Sequence, residues 1–366
     1  MSPPFTPVSY PGRIASLDGW RAIAIGLVLL SHTAFAGGFP ARLTDWWLTV
    51  FNGDLGVRVF FVLSGFLITS LLEREHARTG TLDLRAFIVR RALRIWPVYF
   101  ACLAVIAACQ LAGWTTESPE HWLQVLTFTR SFGASAVGPT VHFWSLAVEE
   151  QFYIFAPLTL LRLDAFSADR RKAMLGLAVV ALVAPLTRFA ALELFADGAL
   201  IGPRSIFRYS DALAVGCLAA LGRAQVERAL GARSTALVLA LGTSLVVGLE
   251  WLAAHFERAA IVVPTLEAPL LALMMVASAR ALPGAAPRVL NSRVAARLGV
   301  LSYSLYVWHG LFLVGFMGPG FGAHLPWHYR AWFLGVFLVA NVSYVAIERP
   351  FLRLKDTWRL AQPRAR

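Results

Sequence analysis

Long apolar runs alternate with short polar ones along the whole chain, and the runs have the length of membrane spans. Apolar windows fall at 19–36, 55–72, 95–113, 143–161, 173–190, 208–222, 234–252, 261–279, 298–316 and 331–347. Each is close to the roughly 20 residues a helix needs to cross a hydrocarbon layer about 30 Å thick. Lipid offers backbone N–H and C=O groups no partner, so runs of this kind must be helical. The pattern predicts an all-α polytopic membrane protein of about ten transmembrane helices, forming a single membrane domain over 1–366. The window at 208–222 is the least regular, because Arg208 and Asp211 stand at its start.

The polar connections orient the stack. With a cytoplasmic N-terminus, one side collects Arg13, the loop from Arg74 to Arg94, and the run Arg162, Arg170, Arg171 and Lys172. The same side collects Arg223, Arg228 and Arg233, then Arg280 to Arg297, then the tail from Arg349 to Arg366. That is 24 of the 33 basic residues, and the positive-inside rule makes this side, with both termini, cytoplasmic.

Composition narrows the class further. With 58% hydrophobic and only 15% charged residues and a mean hydropathy of +0.63, the chain lacks the polar groups to cover a soluble surface. The formal charge of +12 is then a topology signal. Nucleic-acid binding does not fit, because the basic residues are scattered among helix ends. Residues Met1 to Gly12 are proline-rich and lack the charged-then-apolar pattern of a cleavable signal, so the first span is expected to be retained. Cys102, Cys109 and Cys217 fall inside apolar runs and suggest neither a disulfide framework nor a metal site. No internal repeat, no low-complexity tract and no soluble domain at either end is visible, which reads as one membrane domain.

Ionisable groups at membrane depth are expensive and face a protein interior or a wet cavity. Four clusters qualify. In the first span Arg21 and His32 are eleven residues apart, close to three helical turns, so they share a face about 16 Å apart along the axis. Arg21 also reads as a snorkelling anchor. After the second span, Arg90, Arg91 and Arg94 lie at i, i+3 and i+4 spacings, and forked guanidiniums suit a phosphate, although lipid headgroups would suit them too. The fourth span carries adjacent Glu149 and Glu150 about two turns in, with Glu149 on the face of His142 and Tyr153. Such a pair needs a cation or shares a proton. In the ninth span Ser302, Tyr306 and His309 form one polar stripe, the pattern of either a substrate wall or interhelical hydrogen bonds. Ser64-Gly65, inside Phe60–Phe66, has the small-residue look of close helix packing.

Taken together, these segments are familiar. The Arg21–His32 spacing, the stretch FFVLSGFLIT from Phe60, RRALRIWPVYF from Arg90, FWSLAVEEQFY from Phe143, SYSLYVWH from Ser302 and Glu348-Arg349-Pro350 resemble the acyltransferase family 3 membrane proteins. The resemblance runs in order along nearly the whole chain. One position departs: in Gly56-Val57-Arg58-Val59, Arg58 stands where many members carry an acidic residue.

The resemblance implies transfer of an acyl group, commonly acetyl, from acyl-CoA to a hydroxyl of an extracytoplasmic carbohydrate or secondary metabolite. The setting it implies is the bacterial inner membrane. Acyl-CoA would be a co-substrate, with no permanently bound cofactor and no metal. It links the Arg21/His32 pair to activity and the Arg91-x-x-Arg94 motif to the cytoplasmic donor. On this reading Arg21, Arg90, Arg91 and Arg94 hold acyl-CoA, and His32 is the general base, since imidazole titrates near neutrality. Glu149 or Glu150 would orient His32 as the acid of a triad does. Tyr153, Ser302, Tyr306 and His309 would contact substrate, with Tyr306, His309 or a backbone amide available to the oxyanion. The competing class is an exporter of a glycan or lipid-linked intermediate that uses buried Glu and His as a proton relay.

Overall fold

The computed structural model describes residues 14–36, 38–133, 138–194, 204–231, 233–280, 285–312 and 332–361. Ten helical segments organise them: α1 (Ala15–His32), α2 (Gly53–Thr79), α3 (Leu84–Leu111), α4 (Trp144–Arg162), α5 (Arg171–Phe189), α6 (Ser210–Leu221), α7 (Thr235–His255), α8 (Ala259–Ala279), α9 (Arg293–Trp308) and α10 (Trp332–Ser343). The last continues through a π turn, Tyr344–Glu348, into Arg349–Ala361. Among the described residues there are no strands. Among the described residues, six stretches are long and apolar enough to cross a membrane: Ala41–Thr79, Leu84–Leu111, Arg171–Glu193, Thr235–His255, Ala259–Ala279 and Trp332–Asp356. The chain is an all-helical polytopic membrane protein. Each apolar window of the sequence falls on one of the ten helices. Residues 313–316 of the ninth window, residue 331 of the tenth, and Arg13, Arg364 and Arg366 lie outside the described residues.

Helix boundaries follow local chemistry. Asn52 opens α2 by accepting the N–H groups of Asp54 and Leu55, and Gly80 closes it in the left-handed region at φ 71°. Asp83 caps α3 through Ala86 N–H, and Ser292 caps α9 through Ala295 N–H. α1 packs between α2 and α9, while α2 also lies against α6. At that last contact two glycines face each other. A Cβ on Gly65 would run into the carbonyl oxygen of Leu213, and one on Gly216 into that of Val62. The backbones touch, as small residues allow.

Ion pairs sort the helix ends into two sets. At one end Arg90 Nη2 bonds Glu75 Oε2 at 2.8 Å, Arg170 Nη1 reaches Glu73 Oε1 at 2.6 Å, and Arg280 donates to the carbonyls of Gly231 and Arg233. At the other end Arg188 Nη2 donates to Asp211 Oδ2 at 2.6 Å and Asn52 Nδ2 to Glu250 Oε2 at 2.5 Å. The irregular start of the sixth window is thereby explained: Asp211 is fully buried, and its charge is met by Arg188 and by the Thr265 hydroxyl at 2.7 Å.

Candidate active site

α2, α3, α4 and α9, with Arg21 of α1, line an open cleft of about 780 Å³ of atom-free space, its solvent-facing mouth included. Arg91 and Arg94 line it because they are three residues apart on α3 and so share its inner face. The Arg91 guanidinium stands over the rings of Phe87 and Tyr153, 5.6 and 5.8 Å from their centroids. Neither arginine has an ion-pair or hydrogen-bond partner among the described residues, and Arg91 Nε is buried without one. Arg21 also lines the cleft but is paired, its Nη1 donating to Asp18 Oδ1 at 2.7 Å.

Arg90, expected to join this set, does not. One residue from Arg91 is about 100° around the helix. Arg90 therefore faces the C-terminal end of α2 and its partner Glu75.

Glu149, Tyr153, Ser302 and Tyr306 all line the cleft. Glu149 accepts Ser64 Oγ at 2.5 Å. Ser64 thus faces the cleft while its neighbour Gly65 makes the backbone contact with α6. Glu150 is buried with Oε1 unpartnered. Neither glutamate is bonded to His32, which corrects the triad expectation. His32 Nδ1 instead donates to Val28 O at 2.7 Å, with Ser31 Oγ 3.3 Å away. A carbonyl can only accept, so the proton is on Nδ1 and Nε2 carries the lone pair. The Val28 carbonyl thereby fixes the tautomer and the orientation of the ring.

His309 stands beyond the cleft, in a row of three imidazoles. Its ring lies 4.9 Å from that of His32 and 4.8 Å from that of His142, centroid to centroid. His309 Nδ1 donates to Tyr306 O at 2.5 Å and His142 Nε2 to Val307 O at 3.0 Å. Both are buried, and their second nitrogens have no partner among the described residues. Tyr306 links the row to the cleft. Its hydroxyl donates to His142 O at 2.9 Å, so the 2.5 Å contact with Ser145 Oγ has Ser145 as donor. The room is tight, since a Cβ on Gly310 would press into the His142 ring. His142 was not singled out from the sequence as a site residue. The available signal was that His32, His142 and His309 each mark the same end of a span. No group of side chains among the described residues could hold a metal ion.

Comparison with known proteins identifies the family. A model described as an acyltransferase domain, that of acyltransferase family 3, matches residues 14–349. The chain belongs to this family. It is 35% identical over 172 residues to the Staphylococcus aureus (strain COL) protein named "Putative O-acetyltransferase SACOL0978", over 43% of this chain and 26% of that one. It is 34% identical over 167 residues to O-acetyltransferase OatA of S. aureus (strain NCTC 8325 / PS 47), over 41% of this chain and 25% of the relative. The matched region is thus about a quarter of the length of these relatives. No solved structure matches the chain. The Arg58 guanidinium is buried against Asp54, Glu250 and Glu267.

Proposed function

We propose that this chain is a membrane O-acyltransferase of the bacterial inner membrane. It carries an acyl group, acetyl by preference, from cytoplasmic acyl-CoA to a hydroxyl of an extracytoplasmic carbohydrate or secondary metabolite. The observation that carries the reading is the pair Arg91 and Arg94. Two guanidiniums in one cleft with no carboxylate in ion-pair contact leave forked donors open to an anion. The phosphates of acyl-CoA supply one with matching geometry. The basic helix ends are on the same side, which the positive-inside rule makes the cytoplasm. The apolar walls between the arginines and Tyr306, including Phe60, Leu63 and Ile95, suit the acyl-bearing arm of the donor.

His32 stands about 16 Å along α1 from Arg21, toward the side from which an acceptor arrives. Its Nε2 takes the acceptor proton as the hydroxyl oxygen attacks the thioester carbonyl. The C–S bond then breaks, CoA leaves as the thiolate, and the proton held on imidazolium returns to it or to water.

The test uses purified protein and acetyl-CoA labelled in the acetyl group. His32→Ala is expected to lower transfer by about 10²–10⁴-fold while the protein is made in normal, monodisperse amounts. Unchanged transfer in that variant overturns the role of His32. No turnover of any acyl-CoA, together with glycan efflux from proteoliposomes, would favour an exporter instead.

A further inference from the structure

A second cavity, holding about 620 Å³ of atom-free space, opens at the end of the bundle away from Arg90 and Glu75. Its lining includes Asn52, Asp54, Arg58, Arg208, Tyr209 and Glu250. Arg58 is 4% exposed, is paired with Asp54, Glu250 and Glu267, and keeps a buried Nε without a hydrogen-bond partner among the described residues. Arg188 also lines the cavity but is occupied by Asp211 and Thr265. The Arg208 side chain has no partner among the described residues. Tyr209 donates its hydroxyl to Asp54 Oδ1 at 2.9 Å.

Two contacts tie this cavity to the chemistry. The ring of Tyr209 packs against Phe61, which lines the arginine cleft, with centroids 5.4 Å apart. The two cavities therefore adjoin at a cluster of rings, Phe61, Tyr209 and Trp144. Asn52, on the cavity wall, precedes Gly53, whose absent side chain leaves room for Ser31 and the His32 ring. The cavity thus adjoins the donor cleft at these rings and, through Asn52 and Gly53, the segment beside which the His32 ring stands.

We infer that this cavity seats the acceptor, and that the acceptor is a hydroxyl-rich ring such as a sugar or a glycosylated metabolite. The inference rests on the acyl-transfer reading above. The chemistry of the walls selects the class. Asp54 and Glu250 offer only acceptors, whereas Arg58, Arg208 and the Asn52 amide offer donors, and hydroxyls answer both because each donates and accepts. The Tyr209 ring suits the apolar face of a saturated ring. An apolar guest would bury the Arg208 guanidinium without a partner. A compact anion would meet two carboxylates, and a cation would meet three arginines.

The experiment measures initial rates of label transfer from [14C]acetyl-CoA to the glycan fraction extracted from envelopes of a strain lacking the gene. Arg208→Ala and Tyr209→Leu are compared with wild type at varied glycan and at varied acetyl-CoA. Each variant is expected to raise the half-saturating glycan concentration at least threefold while the half-saturating acetyl-CoA stays within twofold of wild type. The two substitutions remove no buried charge pair, so either can carry the test if the other folds poorly. Wild-type protein that labels the glycan, with both folded variants saturating as it does, overturns the cavity assignment alone. Wild-type protein that transfers no label from acetyl-CoA overturns the acyl-transfer reading and the inference with it.

Discussion

Replacing Arg58 with Met tests whether the buried charge network of the second cavity is balanced by that one guanidinium. Arg58 pairs with three carboxylates whose side chains are 44%, 13% and 0% exposed, for Asp54, Glu250 and Glu267 respectively. Solvent screens the Asp54 pairing, which contributes little. Glu267 is different: it is sealed from water, and its ion pair with Arg58 is at 2.8 Å. Removing one partner of a buried pair costs about 3–5 kcal/mol, because the remaining charge stays uncompensated. At roughly 2 °C per kcal/mol for a large chain, Arg58→Met is expected to lower the melting temperature by about 6–10 °C in detergent. Glu267→Gln removes the stranded charge, so Arg58→Met with Glu267→Gln should recover a large part of the loss. The non-additivity should be about 1–3 kcal/mol, the range for residues in one network. Intrinsic-fluorescence melting of the four proteins measures the cycle. A single Arg58→Met variant that melts with wild type, or losses that simply add in the double variant, would refute the assignment of the buried charge balance to this pair.

Two further outcomes test the geometry of α3 and α2. Arg90→Ala is expected to leave the half-saturating acyl-CoA within twofold of wild type, because Arg90 is engaged with Glu75. Arg91→Ala should raise it about 10–100-fold, the equivalent of a charged hydrogen bond of roughly 1.5–3 kcal/mol; the reverse order in a transfer assay would mean that α3 presents its other face to the donor. Gly65→Val drives a side chain into the Leu213 carbonyl and should cost about 1–3 kcal/mol or more, read as a lower melting temperature and a smaller monodisperse fraction on size exclusion.

The membrane architecture was legible because apolar run length is a local property, and each window of the sequence falls on a helix. The site was legible where one helix carries the information. Arg91 and Arg94 at i, i+3 do share the cleft face, and Glu149, Tyr153, Ser302 and Tyr306 do line it. Spacing could not separate Arg90 from Arg91, since both i, i+3 and i, i+4 from Arg94 are permitted; Glu75, fifteen residues earlier, decides between them. The triad expectation failed for a related reason. Glu149 and His32 were matched by chemical type, whereas the imidazole takes its partner from its own helix, at Val28 O. The row of histidines joins residues 110 and 167 positions apart in the chain, and no pattern within one span reports it. Arg58 appeared as an anomaly in the sequence and became intelligible only with Glu250 and Glu267, which are supplied by α7 and α8.

The contact of Gly65 with Gly216 has a mechanical consequence. Side chains can change rotamer and let packed helices slide, but two backbones in direct contact have no such cushion. α2 and α6 therefore behave as one stiff beam. Phe61 is mounted on that beam, and Tyr209 immediately precedes its second member, so the ring contact at which the two cavities adjoin is carried by the least deformable part of the bundle. Any opening that admits donor or acceptor, and any passage between the two cavities, must come from the remaining walls, α3, α4 and α9 on one side and α7 and α8 on the other. The hinge post stays in place while the doors on either side move.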